Sequence, residues 1–223
     1  MLRRILVIMI SFDLFLNFSA AVSKAAEEEQ YYDVIKTIAP YAVQNENDKI
    51  SRGDCITAIM KLVGVDKEVA DEYGDSYYYA PVFEDVDGHG PENDGYIFIA
   101  KFNGVATGVG RNYFEPDRDV TVQECLTFML RCLEDPENVS WENVTTDSVQ
   151  IGLLQKDESD SLVADVSLLG KDFCTLLYRM LNMNRYLYWP IEEPPAGHAK
   201  EMQIDTTNSI KYFDWFKEVE MYL

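Results

Sequence analysis

The chain has 223 residues, 47 % of them hydrophobic, enough for one compact core or two small ones. Its formal charge of −20 at pH 7, with 19 Lys and Arg against 39 acids, makes nucleic acid a poor partner, because phosphate binding needs bases that neutralise the backbone. Its four cysteines show no CxxC spacing and its two histidines lie far from them, which argues against zinc.

The chain opens as a secretion signal: Arg3 and Arg4 form a basic n-region, and Ile5 to Phe18 is an apolar stretch interrupted by Asp13. Ser23-Lys24-Ala25 offers small residues for cleavage, so residues 1–25 are expected to be removed and the mature chain to begin near Ala26. The apolar run is too short and too broken for a comfortable membrane span, so no stable span is expected after cleavage. Loss of three bases (Arg3, Arg4, Lys24) and one acid (Asp13) takes the formal charge from −20 to −22. Such an acidic surface favours solubility and resists non-specific contacts.

A candidate first helix runs from Tyr31 to Ala39 and stops at Pro40. The next begins at Ser51-Arg52-Gly53-Asp54, a hydroxyl-x-x-acid capping box. Lys67 to Ala80 is a tyrosine-rich insertion. A short helical pattern, Tyr96 to Phe102, then ends at Gly104, and a second capping box, Thr121-Val122-Gln123-Glu124, starts another helix. Thr146 to Ile151 and Gly152 repeat the pattern, followed by Leu169-Gly170-Lys171-Asp172, which lacks the capping hydroxyl and is expected to start its helix less securely.

The acids Asp54, Glu124 and Asp172 align a threefold internal repeat. Two residues on stand Ile56, Leu126 and Cys174; five on, Ile59, Met129 and Leu177; nine on, Val63, Leu133 and Leu181. These offsets fall on one helical face, while a base seven on (Lys61, Arg131, Arg179) projects near its edge. Cys55, Cys125, Cys132 and Cys174 read as small apolar core residues. A disulfide stays open, because sequence alone cannot choose a pairing. After Met183, Arg185 to Pro195 reads as an extended segment on the surface, and Asn208 as the cap of a last helix, Ser209 to Tyr222. Its stripe of Ile210, Phe213, Phe216 and Val219 is expected to pack on the core rather than serve a partner.

Four pieces of the second repeat stand in a telling order: Phe83-Glu84-Asp85-Val86, Gly104 to Gly108, Phe114-Glu115-Pro116-Asp117, and Val120-Thr121-Val122-Gln123-Glu124. In this order and spacing they resemble the S-layer homology (SLH) motif. The likeness covers about residues 31–183, with copies at about 31–66, 81–135 and 137–183, and leaves 184–223 as a C-terminal extension. It implies an all-α fold, a pseudo-threefold bundle of three helix–loop–helix motifs. It also implies a secreted, non-enzymatic protein of the bacterial cell surface, without cofactor or metal. The implied partner is an anionic secondary cell-wall polysaccharide, often pyruvylated, held in grooves between motifs.

The family's motif arginine, suited to pairing with a carboxylate, is present only as Arg52; Val122 stands there in the second copy, and Gly170 followed by Lys171 in the third. The candidate carbohydrate-binding residues are therefore Arg52, Ser51, Asp54, Asp85, Thr121, Glu124, Trp141 and Lys171. The rival expectation keeps the fold but has the grooves decayed and an envelope protein as partner. Asp85 to Gly90 opens like a calcium loop, but Tyr96 stands where the closing Glu belongs. Ser51, His89 and Asp85 form no catalytic triad pattern, and Glu192-Glu193 has nothing to place it around a pocket. Trp189, Trp215 and the tyrosines at 77–79 could stack on sugars, but packing is the expectation.

Overall fold

The structure is a computed structural model that describes residues 31–74, 82–86, 91–159, 162, 165–189, 202–205 and 210–219. The signal segment, Tyr77 to Tyr79, His89, Glu192-Glu193 and Asn208 lie outside the described residues. The chain is mostly helical. Helix α1 covers residues 31–38, followed by α2 (Pro40–Gln44), α3 (Arg52–Leu62), α4 (Lys67–Gly74) and α5 (Pro91–Phe102). Then come α6 (Val122–Leu133), a 3₁₀ turn (Pro136–Asn138), α7 (Val144–Ile151), α8 (Gly170–Leu181) and α9 (Tyr212–Val219). The only strands among the described residues, β1 (Leu187–Tyr188) and β2 (Gln203–Ile204), pair antiparallel. No helix among them is long and apolar enough to cross a membrane.

The three helices that carry the repeat acids start at one place. Ile50 N donates to Leu168 O (3.0 Å), Leu168 N to Val120 O (2.9 Å), and Val120 N to Ile50 O (2.8 Å), a closed ring of backbone hydrogen bonds. Each ring residue stands four before a repeat acid and is at most 1 % exposed. A second set repeats the pattern one step on: Arg52 N to Arg118 O, Val122 N to Val166 O, and Gly170 N to Asp48 O. Helix-start amides have no partner within their own helix and must find one elsewhere when buried. Here the strand-like segment before another repeat's helix supplies it.

This arrangement corrects the expectation for α8. Leu169 gives no side-chain cap, yet Gly170 N and Lys171 N bond Asp48 O (3.0 Å) and Glu46 O (2.9 Å). Gly170 permits the approach, since a Cβ there would lie 2.7 Å from the carbonyl oxygens of Ala42 and Asn45. Of the other two starts, α6 has the full expected capping box and α3 only its hydroxyl half, since Asp54 accepts from the Ser51 hydroxyl instead of the cap amide. Ser51 accepts from Asp54 N in α3, and Thr121 and Glu124 form a reciprocal box in α6. Gly104 (φ 74°) and Gly152 (φ 83°) both adopt the left-handed conformation after α5 and α7.

Repeat one departs from the other two. Pro40 does not simply stop a helix but occupies the first turn of α2, after a break at Ala39. The insertion forms α4, which crosses α5 so closely that a Cβ on Gly95 would lie 1.7 Å from Ala70 O. The described residues of Arg185–Pro195, which are 185–189, join the core rather than forming a surface strip. Leu187 and Trp189 are buried, and Trp189 N donates to Val63 O at 2.8 Å. Helix α9 starts at Tyr212, not at 209, and buries Tyr212, Phe213, Trp215 and Phe216; Ile210 is only half-buried. Phe213 stacks on Tyr31 at 3.8 Å between centroids, so the first and last described helices meet.

Candidate functional site

The sequence candidates do not gather in one place. Arg52, Thr121, Glu124 and Asp85 belong to an internal cluster between repeats one and two. Arg52, first residue of α3, is 2 % exposed; its Nη1 lies 2.8 Å from Glu124 Oε1 and its Nε donates to Phe114 O at 2.8 Å. Its guanidinium carbon stands 4.6 Å from the Phe114 ring centroid and 5.3 Å from that of Phe128. Glu124 also accepts from Thr121 N (2.9 Å) and from Arg118 Nη2 (2.6 Å), while Thr121 Oγ1 accepts from Glu124 N (3.2 Å). Asp85 accepts from Phe114 N (2.8 Å) and Glu115 N (2.7 Å), fixing the turn in which Glu115 holds φ 60°.

Electrostatics follow from these contacts. Burial opposes the charge of Arg52 and lowers its pKa, against the pull of Glu124. Burial alone would raise Glu124, but hydrogen bonds from Arg118 and Thr121 N–H, with the Arg52 charge, hold its carboxyl below the usual glutamate range. The hydrogen bond to Glu124 raises Arg118 in turn. A buried guanidinium engaged by a carboxylate, a carbonyl and two rings is a joint between repeats. As placed here, it offers no face to a ligand in solvent.

Trp141 and Lys171 lie elsewhere. Trp141 is 46 % exposed, and its carbonyl accepts from Gln123 Nε2 at 2.8 Å. Lys171 is exposed on the first turn of α8. Neither is brought to the Arg52 cluster by any described contact.

Asp54, hydrogen-bonded by Ser51, is the candidate at an opening. Ser51 Oγ donates to Asp54 Oδ2 at 2.8 Å, and Asp54 lines a cleft of about 140 Å³ together with Tyr41, Thr57, Lys61, Asn93 and Phe173. Asp54, Thr57 and Lys61 are at i, i+3 and i+7 of α3 and so share one face. Tyr41 comes from α2 and is 45 % exposed; Asn93 comes from α5, and Thr57 Oγ1 donates to its Oδ1 at 3.3 Å. Beside an apolar wall that includes Ile38, Pro40, Ile50 and Phe173, the cleft thus offers a carboxylate, an ammonium, a hydroxyl, an amide and a tyrosine.

Repeat one has room for this opening because its loop is short. Thr121 stands seventeen positions after Gly104 and Leu169 seventeen after Gly152, but Ser51 stands only twelve after the break at Ala39. Arg131 and Arg179 bond the carbonyl after the glycine bend, Val105 O and Leu153 O, each 26 residues upstream. Counted the same way from Lys61, the position is Ile35, inside α1. Lys61 instead borders the cleft, its ammonium 5.4 Å from the Tyr96 centroid. Tyr41, Thr57 and Asn93 were not among the sequence candidates. Only Lys61 carried a signal, as the base of the repeat.

Among the described residues no cluster of three His, Cys, Asp or Glu side chains is placed to hold a metal. The four cysteines are free thiols; Cys55, Cys125 and Cys132 are buried, and burial pushes the Cys174 thiol up to about 11. No known family and no curated protein matches the chain.

Proposed function

We propose that this is a non-enzymatic, secreted SLH-type domain that binds a wall polysaccharide non-covalently, and that the saccharide enters the cleft beside Asp54. The pseudo-threefold bundle of three motifs is part of the proposal, and the ring of Ile50, Val120 and Leu168 supports it. The observation that carries the reading is the composition of the cleft. Lys61 supplies the cation for an anionic sugar, Tyr41 a ring face, and Asp54, Thr57 and Asn93 the hydrogen-bonding groups that hydroxyls require. Arg52 is assigned a different role, joining repeats one and two.

The test is sedimentation of the purified chain with cell walls before and after their polysaccharide is stripped, with Tyr41→Ala and Lys61→Ala alongside. Binding that falls at least tenfold on stripping and in both variants, about 1.4 kcal/mol, supports the cleft. The second reading, a protein partner at the envelope, is favoured by the burial of Arg52 and by Val122 and Gly170 at its counterpart positions. Wall binding that ignores both stripping and the variants would select it.

A further inference from the structure

The base seven residues into the second helix is treated differently in repeats two and three. Arg131 Nη1 donates to Val105 O at 3.0 Å, and Arg179 Nη1 to Leu153 O at 3.2 Å. Arg179 then closes fork to fork on Glu158, Nη1 to Oε2 at 2.6 Å and Nη2 to Oε1 at 2.7 Å. That carboxylate stands six residues after Gly152. Six residues after Gly104 the chain has Gly110, with φ 107°, and a Cβ there would meet nothing within 4 Å.

Arg131 forms no ion pair with any described residue, and its buried Nε has no hydrogen-bond partner among them. Burial lowers its pKa with no carboxylate among the described residues to offset the loss, whereas the hydrogen bond to Glu158 raises that of Arg179. Half-withdrawing a guanidinium from water without an acid is costly. Repeat three meets that cost with a carboxylate on the same helix-and-bend frame.

We propose that Arg131 is a binding position for a carboxylate supplied from outside repeat two, received on the guanidinium edge that Glu158 occupies on Arg179. The inference does not depend on the cleft. The ligand class is a planar carboxylate, carried by a small molecule or by an acidic peptide side chain.

The test compares thermal unfolding of the full chain in sodium acetate and sodium chloride at equal ionic strength, for wild type and Arg131→Gln. Acetate stabilises proteins generally by exclusion from their surface, so the quantity read is the difference between the two proteins. The wild type is expected to gain Tm in acetate with a concentration-dependent increment that Arg131→Gln lacks. Equal increments overturn the proposal. If the variant fails to fold, the Nε–Hε resonance of Arg131 in the ¹⁵N-labelled wild type decides: saturable movement with acetate supports the site, and none overturns it. Running N-acetylglutamate amide beside acetate separates the two sources. A response to either supports the proposal, and a response to neither overturns it.

Discussion

Arg52 Nη1 lies 2.8 Å from Glu124 Oε1, so the first residue of α3 is ion-paired with the acid that caps α6. One carboxylate therefore caps its own helix, holds Arg118 and ties repeat one to repeat two. The side chains are only 3 % and 11 % exposed, so water screens the pair little.

Removing one member of such a pair leaves a buried charge without compensation. Arg52→Ala is expected to lower the unfolding free energy by about 3–5 kcal/mol, measured by urea titration. The double change Arg52→Met with Glu124→Gln should cost less than the two single changes together, because no unpaired charge remains. A single variant with the wild-type midpoint would contradict the joint.

Stability should also fall in acid. The folded state holds the carboxyls of Glu124 and Glu158 below the usual glutamate range, Glu158 chiefly through its hydrogen bonds from Arg179. For a depressed carboxyl, the stabilisation is complete above the unfolded pKa, about 4.3, and is lost as pH falls through the folded value. Urea midpoints should therefore decline below about pH 5, and Glu124→Gln should flatten that decline while lowering the plateau at neutral pH. A variant as acid-sensitive as the wild type would assign the effect to other groups.

Gly95→Ala separates local propensity from packing. In an exposed helix interior the change would stabilise by about 0.5–1 kcal/mol. Here the new methyl would lie 1.7 Å from Ala70 O, a backbone atom that cannot rotate away. Overpacking costs about 1–3 kcal/mol, so the net effect is destabilising. A raised melting temperature would show that α4 can move off α5 freely.

What the sequence disclosed was what is local. The Thr121–Glu124 capping box, the hydroxyl cap of Ser51, the left-handed Gly104 and Gly152, and the apolar stripe of each second helix, buried except at the half-buried Leu133 and Cys174, depend on residues a few positions apart. The ring at Ile50, Val120 and Leu168 is made of backbone groups from three distant segments, and no side-chain pattern announces it. Arg52 was singled out as a carbohydrate-binding residue, and its sequence neighbourhood gave no sign that the side chain is buried. Its burial depends on Phe114, Phe128 and Glu124 converging from the next repeat, which periodicity cannot show. The cleft likewise takes Tyr41 and Asn93 from other elements. Lys61 was legible only as a repeat base whose counterpart glycine bend was missing.

The C-terminal segment provides the last test. Trp215 is 4 % exposed and lies over Gly64, where φ is 94° and an added Cβ would come within 1.9 Å of the ring. The same ring packs edge-on against Tyr188 and Tyr212, at 6.0 Å and 6.4 Å between centroids. The nearby Arg185–Asp205 pair, 3.0 Å apart with side chains 7 % and 4 % exposed, closes the same corner. Trp215→Ala should therefore cost about 3–5 kcal/mol, the range for truncating a large core aromatic. Gly64→Ala should also destabilise, because it combines a left-handed backbone with the clash. If this segment belongs to the cooperative unit, far-UV and near-UV circular dichroism will report one coincident transition in the wild type, shifted to lower denaturant in both variants. Two separable wild-type transitions, or a Trp215→Ala midpoint that does not move, would place the segment after Met183 outside that unit.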